Sequence, residues 1–132
     1  MQDSKAQQIG SEPWPSEIRV LDAGRTLRIA YDDGATCTLS AELLRVRSPS
    51  AEVQGHSPAD RKTIGGKRKV AIIAVAPVGN YAVRLDFDDM HRTGIYTWRY
   101  LRQLGETAEE SFNAYLAELA VKGLDRDQPG ER

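Results

Sequence analysis

One cysteine, Cys37, stands among 132 residues. A lone thiol excludes an internal disulfide and a multi-cysteine metal knot within one chain. No apolar run approaches the roughly 20 residues of a membrane-spanning helix. The opening residues, MQDSKAQQIGSE, lack the apolar centre of a signal peptide. These absences lead to the expectation of a cytoplasmic protein with no membrane partner. An excess of one charge is missing too. Eighteen Lys and Arg oppose 19 Asp and Glu, for a net charge of -1, so nucleic acid is not expected as a partner. Catalytic signatures are also lacking. Gly66-Lys67 continues into Arg68, and position 61 is arginine, so the P-loop pattern fails. Ser40, Ser48 and Ser50 have no nucleophile-elbow context. No enzyme activity is expected.

What is present suffices for one core. The chain is 40% hydrophobic, and a single domain is expected over residues 14–123, with a disordered arm over 1–13 and a disordered tail over 124–132. Ile18 and Val20 mark a first strand. Leu27, Ile29 and Tyr31 mark a second, and Asp32-Asp33-Gly34 a tight turn into a third at Thr36–Leu39. Ser40 is placed to cap a short helix over Ala41–Arg47. A long loop is expected from Ala51 to Lys69. Val70, Ile72, Ile73 and Val75 form a β-branched run ended by Pro77-Val78-Gly79-Asn80. Beyond it Tyr81, Val83, Leu85 and Phe87 alternate with Ala82, Arg84, Asp86 and Asp88, a half-buried strand. Trp98, Leu101 and Leu104 recur at helical spacing, with Gly105 as C-cap. Thr107 and Glu110 have capping-box spacing ahead of a stripe of Phe112, Tyr115, Leu116 and Leu119, which Gly123 closes. The expected fold is α+β: an antiparallel sheet of about five strands, a meander plus a hairpin, with two or three helices.

Three stretches, WPSEIRVLDAGRTLRIAYDDG, LRVRSPSAEVQGH and APVGNYAVRLDFDDMHRTGIYTWRYLRQLG, resemble the gamma-butyrobetaine-hydroxylase-like N-terminal domain, over about Trp14 to Gly105. That family includes stand-alone bacterial proteins, N-terminal domains of carnitine-pathway dioxygenases, and domains fused to Mrp-type ATPases that carry iron–sulfur clusters. In the dioxygenases the resemblance implies a zinc module of three cysteines and a histidine. Here the thiol positions are Ser48, Ser50 and Val53, and only His91 matches. Hydroxyls are poor zinc ligands and valine is none, so the inherited zinc site is expected to be absent.

The residues leave other sites open. His91 follows Asp86, Asp88 and Asp89, and His56 lies in the long loop. Two histidines and a carboxylate suit iron(II), which makes His91, Asp89 and His56 candidate ligands. The plainer reading of Asp88-Asp89 is a solvated turn. Asp88, His91, Tyr96 and Trp98 form a candidate binding surface, against which Trp98 also reads as core. Trp14, between two prolines, is expected to lay its indole on the domain edge. Arg61-Lys62 and Lys67-Arg68-Lys69 read as a solvated charge run, and Cys37 as a small hydrophobe in a strand. The functional expectation is a non-enzymatic adaptor domain with a protein partner and no cofactor, placed near iron–sulfur assembly by the resemblance. The alternative is a carrier of iron or zinc using His91 and neighbouring carboxylates.

Overall fold

The computed structural model describes residues 14–132; the arm expected over 1–13 lies outside them. The architecture is α+β, with its strands in three antiparallel groups rather than one sheet. The first is the expected meander: β1 (Pro15–Leu21), β2 (Thr26–Tyr31) and β3 (Thr36–Ser40). Asp32–Ala35 turns β2 into β3. Gly34 sits at φ 90°, where a side chain would be strained, and the Asp33 carboxylate accepts the Ala35 N–H at 3.0 Å.

The other large sheet joins β5 (Ile72–Val78), β6 (Ala82–Phe87) and β7 (Gly94–Thr97) in that order. Pro77 belongs to β5 rather than to the turn. β5 is an edge strand, where a missing N–H costs no ladder bond, and Gly79 at φ 55° makes the reversal. Val83, Leu85 and Phe87 face inward as their alternation requires, but Tyr81 at the strand mouth is 53% exposed. Gly24 brings the first hairpin against this sheet. A Cβ there would lie 2.5 Å from the Ile72 carbonyl oxygen.

Among the described residues four α-helices complete the fold: α1 (Ala41–Val46), α2 (Ala51–Gln54), α3 (Trp98–Glu106) and α4 (Ala108–Val121). Ser40 caps α1 by accepting the Leu43 N–H at 3.0 Å, as read. Thr97 caps α3 by accepting from Tyr100. Two end signals act differently. α3 runs through Gly105 rather than ending there, and the glycine makes room for the Cys37 side chain, whose sulfur a Cβ would meet at 2.8 Å. The Thr107 hydroxyl donates back to the Gln103 carbonyl instead of capping α4. Leu27, Ile29, Leu39, Leu44, Leu85, Phe87, Tyr96, Leu101, Tyr115 and Leu119, drawn from both sheets and three helices, form one core.

The disordered tail is a correction. Residues 130–131 form β8, which pairs with β4 (Ile64–Gly65) inside the expected loop. The Arg126 guanidinium grips Glu42. Hydropathy misses this segment because polar pairing, not apolar burial, holds it. Likewise the basic loop is not merely solvated. Arg61 pairs with Glu118, Lys62 with Glu131, Lys67 with Asp89 and Arg68 with Asp127.

Candidate functional site

Two turns meet at His91. One, Ser48–Gln54, leaves α1 through Pro49 and begins α2, where Ser50 caps the helix by accepting the Glu52 N–H at 3.1 Å. The other, Asp88–Thr93, links β6 to β7, and Met90 at φ 75° bends it back so that the Phe87 N–H donates to the His91 carbonyl. The His91 side chain is buried at 2% exposure and held at both ring nitrogens. Nδ1 lies 3.0 Å from Glu52 Oε1 and Nε2 lies 2.8 Å from Ser48 Oγ. A carboxylate only accepts, so Nδ1 carries the proton and Nε2 receives the Ser48 hydroxyl. Burial and the Arg45 charge push the His91 pKa below its ordinary value, against the pull of Glu52 and Asp89. Ser48 Oγ also accepts the Ser50 N–H at 3.2 Å, and Ser50 and Thr93 share a hydroxyl bond of 2.7 Å. Thr93 in turn donates to Glu52. The result is a closed polar clasp between the two turns.

Three of the four positions implied by the zinc resemblance thus converge: Ser48, Ser50 and His91. Val53, the fourth, is buried at 1% exposure beside them in sequence. Where the resemblance implies metal, this chain has hydrogen bonds. The proposed iron set does not converge. Asp89 Oδ2 is taken at 2.6 Å by Arg45 and at 2.6 Å by Lys67. Burial raises the Asp89 pKa, but Lys67, the His91 N–H and Arg45 outweigh it and hold the carboxyl below its usual range. His56 is exposed on its loop. Among the described residues no group of three or more His, Cys, Asp or Glu is arranged to hold a metal ion.

Glu52, His91 and Ser48 have the order of a hydrolase triad, but Ser48 is fully buried and Gly94 packs against its oxygen. A Cβ at Gly94 would stand 2.6 Å away. A reacting carbonyl has to come within about 3–3.5 Å of the nucleophile, and that space is filled.

The expected binding surface is only partly a surface. Tyr96 is fully buried, a correction, because β7 turns its ring inward to donate its hydroxyl to the Leu44 carbonyl. Burial pushes its pKa up. His91 is buried as described. Asp88 is exposed, but its carboxylate accepts the Ala71 N–H at 3.1 Å and ties β5 to the turn. Trp98 is half-buried, and its indole N–H donates to the Asn80 carbonyl at 3.0 Å. It opens instead onto a shallow groove of about 350 Å³ lined by Trp14, Tyr81, Thr97, Trp98 and Arg99. Trp14 is 47% exposed there. Sequence reasoning placed Tyr81 with the core and missed Glu52 and Thr93. A strand-mouth position directly after a Gly-Asn turn was the signal for Tyr81; a loop glutamate carried none.

The family profile described as gamma-butyrobetaine hydroxylase-like, N-terminal, matches residues 18–102. The chain belongs to this family. Two solution NMR structures of proteins of similar fold are each 43% identical to this chain. One has a TM-score of 0.76 and covers 89% of this chain and 92% of its own. The other has a TM-score of 0.75, covering 86% and 85%. A crystal structure from Acidithiobacillus ferrooxidans ATCC 23270, 41% identical with a TM-score of 0.56, covers 71% of this chain and 92% of its own. That protein is described as of unknown function. No curated protein matches this chain. Among the described residues no helix is long and apolar enough to cross a membrane.

Proposed function

We propose that this gamma-butyrobetaine-hydroxylase-like domain is a non-enzymatic adaptor that binds an extended apolar segment of a partner protein in the Trp14–Tyr81–Trp98 groove. The observation that carries the reading is the exposure of Trp14 and Tyr81 beside Trp98 along one groove. Large aromatics in water lose hydrophobic stabilisation, and clusters of them anchor protein interfaces. An extended segment suits the site because the groove is shallow and is lined by Thr97 at the end of β7 and Tyr81 just before β6. A place near iron–sulfur assembly rests on the fused ATPase relatives alone.

The test is selection of 12-residue peptides displayed on phage against the whole protein, followed by affinity measurement on Tyr81→Ala and Trp14→Ala. The selected peptides are expected to be apolar and to lose at least about tenfold in affinity to either variant, the usual size of an aromatic anchor. Peptides that bind both variants undiminished would place recognition elsewhere and overturn the reading.

A further inference from the structure

A second cluster of groups outside the clasp and the groove surrounds Glu42. The Glu42 carboxylate is buried, with its side chain 6% exposed, in the first turn of α1. Its recorded partner is Arg126, held bidentate at 2.6 and 2.8 Å. The guanidinium also lies 5.1 Å from the centre of the Phe112 ring. Buried carboxylate plus aromatic face is a pocket specific for arginine, since lysine cannot make the paired bonds.

The segment that delivers this arginine binds like a separate peptide. The Gly66 N–H donates to the Asp125 carbonyl at 2.9 Å, and Arg68 N–H to that of Arg126 at 3.1 Å. Thr63 and Arg132 exchange both backbone bonds, and Ile64 and Gly65 pair with Glu131 and Gly130. Arg68 receives the Asp127 carboxylate at 2.6 and 3.1 Å. Gly65 and Gly66 admit this close approach: a Cβ on either would come within 2.6 or 2.7 Å of the segment's backbone. Arg126 apart, every residue from Asp125 to Arg132 is exposed. The segment therefore contributes one anchoring side chain, surface ion pairs and backbone bonds, and almost no core.

We infer that β4, Arg68 and the Glu42–Phe112 pocket form a receptor for an extended peptide that presents arginine followed by an acidic residue, with residues 125–132 filling it in cis. A partner protein carrying such a segment binds by displacing them. Charge complementarity sets the preference. Glu42 selects the arginine, Arg68 the acid after it, and strand addition to β4 supplies affinity without further sequence demand.

The experiment uses the whole chain and a fluorescent peptide of sequence LDRDQPGER. Arg126→Ala removes the segment's one buried anchor and so weakens its hold on β4 and Arg68, and this variant is expected to bind the peptide. Wild type should bind it at least about tenfold more weakly, because its own segment competes at an effective concentration of order mM. Alanine in place of the peptide's arginine, or Glu42→Gln added to the variant, should remove binding. A folded Arg126→Ala protein that ignores the peptide, or binds it regardless of Glu42, overturns the inference. Should that variant not fold, amide exchange in wild type decides. The Gly66, Arg68 and Thr63 amides are expected to exchange much faster than those of β2 and β6 and to be slowed by excess peptide. Exchange as slow as the core would show a fixed segment and overturn it.

Discussion

Removing His91 and Ser48 singly and together measures whether the clasp acts as one unit. Both side chains are buried, and their bond is 2.8 Å long. Ser48→Ala deprives His91 Nε2 and the Ser50 N–H of their partner. A buried group left unsatisfied costs about 1–3 kcal/mol, so about 2 kcal/mol is expected. His91→Ala strips the Ser48 hydroxyl of its acceptor and also removes a ring packed 6.1 Å from the Phe87 ring. With a cavity added, about 3 kcal/mol is expected. For a chain of this size that corresponds to a fall in Tm of roughly 10 °C. The double variant should lose less than the sum by about 1–2 kcal/mol, because the shared bond is lost only once. Urea unfolding followed by tryptophan fluorescence, with a common m-value, supplies the three numbers. Losses that add to within about 0.5 kcal/mol would refute the clasp as a coupled network.

Three further outcomes follow from the same geometry. The folded His91 pKa lies below the ordinary 6.5, so the unfolded chain binds the extra proton first. Its stabilisation is complete above that value and lost as pH falls through the folded pKa; the wild type should lose more stability than His91→Ala over that window in pH-dependent urea curves. Glu118 receives Arg47 and Arg61, and although burial opposes it these charges hold its carboxyl below the usual range. Glu118→Gln leaves Arg47, whose side chain is 6% exposed, without its counter-ion and should cost about 2 kcal/mol in the same assay. Gly94→Ala drives a Cβ to 2.6 Å from Ser48 Oγ and should cost about 1–3 kcal/mol while leaving peptide binding at the Trp14 groove intact.

The strands were legible because period-two alternation and turn residues mark them locally. Asp32-Asp33-Gly34 and Ser40 act as their chemistry demands. The clasp was half legible. Ser48, Ser50 and His91 emerged from the resemblance, but as the vestige of a lost metal site. That their hydroxyls close a network with Glu52 and Thr93 depends on two turns separated by about 40 residues, a contact no local pattern encodes. Tyr96 and Tyr81 exchanged roles for one reason. Strand alternation gives the face but not the covering: β7 is roofed by α1, whereas the mouth of β6 is bare. The segment 125–132 escaped because Gly, Pro and alternating charge read as solvent-facing chain, and Glu42, 84 residues away, together with the Phe112 ring gives Arg126 its place.

The most direct test of the clasp is the ¹⁵N NMR spectrum of the His91 imidazole at neutral pH, recorded before and after one equivalent of zinc. The account predicts a neutral ring protonated on Nδ1, with Nε2 as acceptor, and shifts that zinc leaves unchanged because Ser48 and Glu52 already occupy both nitrogens. A protonated ring, the opposite tautomer, or nitrogen shifts that move with stoichiometric zinc would contradict it and make His91 a metal ligand.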